Sequence, residues 1–265
     1  MLLKMSEGDL TNRPLIISVV GKGGVGKTVI TTLLARAISE EHGYKLLLID
    51  ADPTHPHLSN MVKLVPEKSL EEVRLSVVKN VSRKDRDSKE LAEEIDFNVY
   101  DSMVESKDFC LFSIGQPEGP GCFCPSNTLL RKVIESISQD FDIVLIDCEA
   151  GLEQINRKVI KSVDILLVVT DISMRSIETA DSIRKSAKKF TQYKELGVII
   201  NKVKGDITAI EEKLEELNLP IYARVPEDQK VMEFDLNGTP LIELPDTPSQ
   251  LVIKKLVKKI INTGR

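Results

Sequence analysis

The chain of 265 residues has no tryptophan, 4% aromatic residues and four cysteines. Aromatic rings supply the stacking platforms of many single-strand binding proteins, so their scarcity disfavours a nucleic-acid-binding surface. The net charge of −5 gives no general attraction to DNA or to an anionic membrane. No apolar run approaches a transmembrane span, and residues 1–14 contain no apolar core of signal-peptide length. We therefore expect a cytoplasmic protein with reduced cysteines.

One glycine-rich stretch, from Gly21 to Thr28, has the pattern G-x-x-x-x-G-K-T of a phosphate-binding loop. An apolar segment of strand length, residues 15–20, precedes it, and residues 29–38 have helical periodicity. Glycines let backbone N–H groups surround phosphate oxygens, and the N-terminus of the following helix adds a positive dipole end. Lys27 is expected to pair with the β- and γ-phosphates of ATP, and the Thr28 hydroxyl to ligate Mg²⁺.

A second lysine, Lys22, makes the loop G-K-G-G-V-G-K-T. This loop resembles the deviant Walker A loop of the family that contains the nitrogenase iron protein, the septum-site and plasmid-partition ATPases and the metal-insertion ATPases. The resemblance implies an ATP-sandwich homodimer in which Lys22 reaches the nucleotide of the partner subunit. From the residues alone, a second lysine also compensates phosphate charge within one chain. The loop residues placed at the nucleotide are Gly23, Gly24, Val25, Gly26, Lys27, Thr28 and Val29.

Carboxylates follow two predicted strands, with Asp50 and Asp52 after one and Asp147 after the other. Open α/β sheets bind ligands at the carboxyl ends of their strands, so these groups are expected at the nucleotide. The resemblance implies that Asp52 orients the attacking water and that Asp147 holds the Mg²⁺ shell. It makes Asp50 the second candidate carboxylate at this strand end, acting through Mg²⁺. It also brings the N–H of Gly151 to the γ-phosphate. The alternative for Asp50 and Asp52 is a solvated strand-end turn.

Two later strand ends carry Asn201-Lys202 and Pro226-Glu227-Asp228. In the family that the loop resembles, adenine is held by an asparagine at the first of these strand ends, the position of Asn201, and by the backbone around the second strand end. An asparagine amide suits this role because it both donates to and accepts from the purine edge. A helix cap or a turn is the alternative for Asn201.

The alternation of apolar strands with helical segments predicts an α/β fold, a doubly wound and mostly parallel sheet flanked by helices. The resemblance implies a P-loop NTPase of the SIMIBI type. We expect a lead-in tail over residues 1–14 and a single domain over 15–265, with a helical surface insertion at about 64–96. Short strands are predicted over 97–104 and 109–114.

The last predicted helix, residues 249–262, is amphipathic, with lysines on its polar face. Its apolar stripe most often packs on the protein's own sheet, and we expect the same here. A basic membrane-binding helix is the less favoured alternative, because no aromatic residue stands on the apolar face. The expected apolar face consists of Leu251, Val252, Leu256, Val257, Ile260 and Ile261.

A C-x-C pair, Cys122 and Cys124, lies in a loop rich in glycine and proline. Together with the run D-C-E-A-G-L-E at residues 147–153, it resembles the nickel-insertion ATPases of carbon monoxide dehydrogenase. That resemblance extends from about residue 15 to the end of the chain. It implies an ATP-dependent metallochaperone whose client is apo carbon monoxide dehydrogenase or a complex of that enzyme with acetyl-CoA synthase. One C-x-C supplies two thiolates, and two-fold symmetry would complete a four-thiolate Ni²⁺ or Zn²⁺ site shared across a homodimer.

Two other functions remain open from the sequence. An iron–sulfur scaffold or electron-transfer ATPase like the nitrogenase iron protein also uses thiolates, although the second cysteine of that protein has no equivalent in residues 152–156. A positioning ATPase needs no C-x-C. His55 and His57 depart from the nickel-insertion pattern, as does Gln154, and the H-x-H pair is either a metal site or a solvated loop.

Overall fold

The computed structural model describes residues 13–41, 43–52, 57–81, 97–115, 134–148, 162–190 and 192–263. In these ranges eight strands form one sheet, in the order β3-β4-β2-β5-β1-β6-β7-β8 once they are numbered along the chain. Six of the seven pairings are parallel, and only β3 and β4 are antiparallel. The strands are β1 (Leu15–Gly21), β2 (Leu46–Ala51), β3 (Val104–Glu105), β4 (Phe109–Ser113), β5 (Ile143–Cys148), β6 (Ser162–Thr170), β7 (Gln192–Val203) and β8 (Ile221–Pro226).

Helices cover both faces of the sheet, which confirms the doubly wound α/β prediction. Successive residues of β1 alternate between two apolar clusters. Ile17 faces the helices Lys27–Glu40 and Pro248–Thr263, and Ile16 faces the helices Met174–Phe190 and Thr208–Glu216. The central strands are therefore buried on both sides, which explains their continuous apolar runs. The helices are α1 (Lys27–Glu40), α2 (His57–Met61), α3 (Leu70–Val81), α4 (Met174–Phe190), α5 (Thr208–Glu216), α6 (Gln229–Leu236) and α7 (Pro248–Thr263).

The predicted strand over residues 97–104 is wrong for most of its length, because residues 97–101 are helical and only 104–105 are extended. The backbone N–H of Ser102 donates to Asn98 O, as in a helical turn. Phe97 is 70% exposed and Val99 is fully buried, whereas a strand would put both on one face. A short apolar run cannot be assigned from periodicity alone.

Helices α5 and α6 were absent from the sequence prediction. A signal for α5 existed, since Ile207, Ile210, Leu214 and Leu217 recur at helical spacing and all contact one core cluster. Helix α6 carries no buried residue, so its apolar pattern gave no comparable signal. Part of the predicted insertion at 64–96 is α3, whose Leu70 and Val73 are buried in the core. Residues 82–96 lie outside the described ranges.

Helix α7 packs on the protein itself, as expected, against α1 and β8. One residue of the predicted face is wrong, because Leu251 is 50% exposed and Ile253 is fully buried instead. Two lysines of its polar face are engaged in the structure: Lys254 contacts Glu40 at 2.7 Å, and Lys259 lies 4.7 Å from the centre of the Tyr222 ring. Among the described residues, no helix is both long and apolar enough to cross a membrane.

Candidate functional site

The phosphate-binding loop lies where β1 ends at the centre of the sheet and α1 begins. Gly24 and Gly26 have φ angles of +82° and +92°, a region that side chains other than glycine rarely adopt. In the part of the chain that the structure describes, no side chain caps the start of α1, and the first turn of this helix contains no acidic residue. The N–H groups at this helix end are therefore open to an anion, as the sequence predicts.

Strand β7 holds the loop in place through two consecutive residues. The Asn201 side-chain amide donates to Val25 O at 2.9 Å, and the Lys202 ammonium donates to Gly24 O at 3.0 Å. A Cβ atom at Gly26 would lie 2.5 Å from Asn201 Nδ2, so the close approach of this amide requires glycine there. The adenine role of Asn201 stays a prediction, and the structure adds that its amide nitrogen bonds the loop.

The two loop lysines are neighbours in space. The Lys27 ammonium donates to the backbone carbonyl of Lys22 at 3.3 Å, and both side chains are half-buried. The Lys27 side chain thus lies against the loop at which it is predicted to bind phosphates. The contact involves only the backbone of Lys22, and the action of its side chain on a partner's nucleotide remains a prediction.

Two buried carboxylates face each other across the strands β2 and β5. Asp50 and Asp147 are paired positions in the parallel register, and they are 0% and 3% exposed. The Thr31 hydroxyl donates to Asp147 Oδ1 at 3.0 Å, and the Asp52 backbone N–H donates to Asp50 Oδ1 at 3.2 Å. Within the described part of the chain, Asp50 Oδ2 is buried without a hydrogen-bond partner.

Burial and mutual repulsion disfavour the charged forms of this pair. Burial is the main cause that raises the pKa of Asp50 to about 7, and the nearby charge of Asp147 adds to it. Burial likewise raises the pKa of Asp147 to about 6, although hydrogen bonds from the Thr28 and Thr31 hydroxyls oppose it. A cation placed between these groups would relieve both effects.

The segment Pro226 to Asp228 joins the same edge of the sheet, since Val203 and Pro226 are paired and the Glu227 N–H donates to Val203 O. Asp228 caps α6 by accepting from the Lys230 N–H at 3.0 Å. Burial alone would raise the pKa of Asp228, but hydrogen bonds, among them that of the Ser249 N–H, outweigh it and hold the pKa below its usual range. Its side chain is therefore engaged within the protein, and the role of this segment's backbone in holding adenine stays a prediction.

The model of the CobQ/CobB/MinD/ParA nucleotide binding domain matches residues 16–241 of the chain. The chain belongs to this family. The CobQ/CobB/MinD/ParA family contains P-loop ATPases, so nucleotide binding is expected of this chain, while the roles of the individual loop and carboxylate residues stay predictions.

Individual relatives span nearly the whole chain. An uncharacterised ATP-binding protein of Methanocaldococcus jannaschii is 35% identical over 94% of this chain and 99% of its own length. The carbon monoxide dehydrogenase accessory protein CooC of Rhodospirillum rubrum is 30% identical over 86% of this chain and 89% of its own. The cell division ATPase MinD of Pyrococcus furiosus has a TM-score of 0.69 at 24% identity, covering 94% of this chain and 99% of that one, which supports the fold.

Several predicted site residues lie outside the described ranges. They are Gly151, His55 and both members of the C-x-C pair, Cys122 and Cys124. His57 is exposed at the start of α2. In the part of the chain that the structure describes, no group of three or more His, Cys, Asp or Glu side chains has metal-site geometry.

The other two cysteines are unsuited to metal binding. Cys148 is buried in β5, where burial raises the pKa of its thiol strongly. Burial also raises the pKa of the half-buried Cys110 to about 11, with Glu105 adding to the effect. The raised pKa values disfavour the thiolate, which is the form that binds metal. Cys148 therefore serves as a small buried residue at the end of β5.

Sequence reasoning missed Thr31, whose hydroxyl contacts Asp147. A signal was available, since Thr31 follows Lys27 by four residues and so lies one helical turn further along the same face of α1. The contacts of Asn201 and Lys202 with the loop had no such signal, because they join residues 176 and 178 positions apart.

Proposed function

We propose that the chain is a Mg²⁺-dependent ATP hydrolase in which Lys27 binds the β- and γ-phosphates. The observation that carries the proposal is the pair Asp50 and Asp147, buried side by side at the strand ends next to the loop. Asp52 follows at the same strand end and is partly exposed, so water can reach its side chain. In this role Asp52 orients the attacking water, which is a contribution to hydrolysis and not to binding.

The residues present fit a magnesium ion. Asp50 offers a buried oxygen that has no hydrogen-bond partner among the described residues, and the hydroxyls of Thr28 and Thr31 face Asp147. Oxygen donors of this kind are the ligands that Mg²⁺ prefers, with phosphates and waters completing its shell. Thr28 would ligate the ion directly, Asp147 would hold its water shell, and Asp50 would add a negative charge beside it. When bound, Mg²⁺ neutralises charge on the transferred phosphoryl group.

The active unit proposed is a homodimer with ATP between the subunits. Support comes from Lys22, a second cation in a loop that Lys27 already serves. A lysine beside the bound phosphates of the opposite subunit would tie ATP binding to dimer closure. Bound ATP then holds the two subunits together, and its hydrolysis lets the subunits separate.

The cargo proposed is nickel, delivered to apo carbon monoxide dehydrogenase. The support is the 30% identity with CooC over most of both chains, together with the C-x-C pair Cys122 and Cys124. Nickel is here a substrate carried between proteins. Closure of the dimer would bring two C-x-C pairs together, and opening after hydrolysis would release the ion to the client.

Activation of the client tests this function directly. The anaerobically purified chain, loaded with Ni²⁺, is mixed with apo carbon monoxide dehydrogenase and Mg-ATP, and carbon monoxide oxidation is followed. We expect activation that requires both Cys122 and Cys124 and that a non-hydrolysable ATP analogue blocks. Cys110→Ser is the matched control and should activate normally. Equal activation by a variant without the C-x-C pair would exclude nickel delivery by this site.

A positioning ATPase is the second candidate, favoured by the likeness of the fold to the cell division ATPase MinD. The engaged lysines of α7 speak against a membrane-binding helix, because their charges already face Glu40, Asp246 and the Tyr222 ring. ATP-dependent co-sedimentation with anionic vesicles, in the absence of any metal effect, would favour this candidate. A broad absorption near about 400 nm in the purified protein would instead indicate an iron–sulfur scaffold.

A further inference from the structure

Two consecutive residues of β7 hold two consecutive carbonyls of the phosphate loop. Lys202 donates to Gly24 O and Asn201 donates to Val25 O, at 3.0 Å and 2.9 Å. The Asn201 bond is buried, whereas the Lys202 side chain is exposed. An exposed lysine contributes little to the apolar core, so its contact with the loop calls for another explanation.

The geometry of the peptide unit gives that contact a consequence. In a planar trans peptide the C=O and N–H groups point in opposite directions. When Gly24 O is held by Lys202, the N–H of Val25 must point away from β7. The bond from Asn201 to Val25 O fixes the N–H of Gly26 in the same manner. The two side chains thereby orient two neighbouring donors of the loop.

The backbone of β7 is shaped for this contact. Lys202 has a φ angle of +56°, which is uncommon for a residue with a side chain. The register between β7 and β8 shifts between Ile200 and Val203, so the irregularity spans Asn201 and Lys202. Such irregularities in a strand re-aim side chains, and here they send two consecutive side chains to the same loop.

We propose that Lys202 is a positioning residue for the phosphates, acting through the Gly24 carbonyl and not on the nucleotide base. The proposal rests on the proposed ATP binding. Lys202 sets the direction of the Val25 N–H, and so sets affinity for the polyphosphate part of the ligand. Base recognition belongs to other groups at this edge of the sheet.

Direct binding measurements with two ligands test the assignment. Dissociation constants for Mg-ATP and for inorganic tripolyphosphate, which has no base, are measured on the full chain. In Lys202→Met we expect both to weaken by the same factor, about tenfold, the effect of one charge-assisted hydrogen bond. Lys202→Arg should recover most of the loss. Lys213→Met removes an exposed lysine paired with Glu216 on α5 and should bind both ligands like wild type.

A second variant separates the side chain from the backbone. Lys202→Gly relieves the positive φ angle while also losing the ammonium group, so it should match Lys202→Met in affinity and exceed it in thermal stability. If Lys202→Met weakens ATP but not tripolyphosphate, the lysine acts on the base and the inference is wrong. Unchanged binding of both ligands also overturns it. A wild-type chain that binds no Mg-ATP would overturn the proposed function and this inference with it.

Discussion

Asp50 and Asp147 are register partners on β2 and β5, so two carboxylates lie side by side and buried at the end of the sheet that holds the phosphate loop. Like charges this close cannot both ionise without cost, and burial adds to that cost. In the nucleotide-free protein the pair therefore retains a proton at pH values at which carboxyl groups are usually ionised. The arrangement is unfavourable for the empty protein and becomes favourable only when a cation arrives.

The first prediction concerns Asp50→Asn, compared with wild type by urea unfolding in EDTA. The raised pKa of Asp50, about 7, means that the folded state binds its proton more tightly than the unfolded state. The protonated Asp50 therefore stabilises the folded state fully below about pH 4, and this stabilisation is lost as the pH rises to about 7. The variant should be more stable than wild type by ~4 kcal/mol at pH 8, with little difference near pH 4.

The exposed carboxyl of Asp101 provides the control for that comparison. Asp101→Asn should differ little from wild type at either pH. Added Mg-ATP should reverse the order of stability, because it stabilises the protein that binds it more tightly. If Asp50→Asn is more stable than wild type by the same amount from pH 4 to pH 8, the raised pKa of the buried Asp50 is contradicted.

The second prediction separates binding from cleavage in the nucleotide site. Lys27→Ala should abolish ATP hydrolysis by weakening ATP binding, because the phosphate clamp is lost. Asp52→Ala should bind ATP within about threefold of wild type and hydrolyse it at least about a hundredfold more slowly, because only water orientation is lost. Binding by equilibrium dialysis and turnover by phosphate release measure the two effects. Hydrolysis by Asp52→Ala at the wild-type rate would refute its role.

The third prediction tests whether Lys22 acts across the dimer. Lys22→Ala and Asp52→Ala chains are each expected to be inactive alone. In a mixed dimer, one site combines an intact Asp52 with an intact Lys22 from the other chain, so part of the activity should return. Two differently tagged chains, co-purified through both tags, ensure that the heterodimer is what is assayed. Absence of any recovery in that heterodimer would show that Lys22 serves its own subunit.

The sequence was enough to place the loop and the carboxylates at one edge of the sheet. Gly21 to Thr28 follows a strand and opens a helix, and parallel strands bring their carboxyl ends together, so Asp50 and Asp147 had to meet that loop. The buried apolar runs of the central strands carried the fold prediction. Local pattern and strand direction are both visible without coordinates.

The features that the sequence did not predict depend on contacts between distant positions or on weak local patterns. Residues 97–101 were misassigned because a short apolar run fits a strand and a helix equally well. The clamp of Asn201 and Lys202 on the loop depends on a register shift and on the positive φ of Lys202, neither of which a strand-length apolar run indicates. The unpartnered oxygen of Asp50 likewise follows only from the packing around it.

The last prediction is that one metal ion binds per dimer, through Cys122 and Cys124. The chain has four cysteines, and the thiols of Cys110 and Cys148 have raised pKa values, which disfavours the thiolate form that metals bind. Two thiolates remain in each chain, and a tetrahedral or square-planar ion takes four ligands. Two-fold symmetry supplies the other two.

Metal analysis combined with mass measurement in solution decides the stoichiometry. We expect one Ni²⁺ or Zn²⁺ per two chains, and loss of both the metal and metal-promoted dimerisation in Cys122→Ser/Cys124→Ser. That variant should keep its affinity for ATP, because the nucleotide site uses other residues. Cys110→Ser is the control with the same chemical change at a half-buried thiol, and it should retain metal. One metal ion per single chain, or equal dimerisation without the C-x-C pair, would contradict a site shared by two subunits.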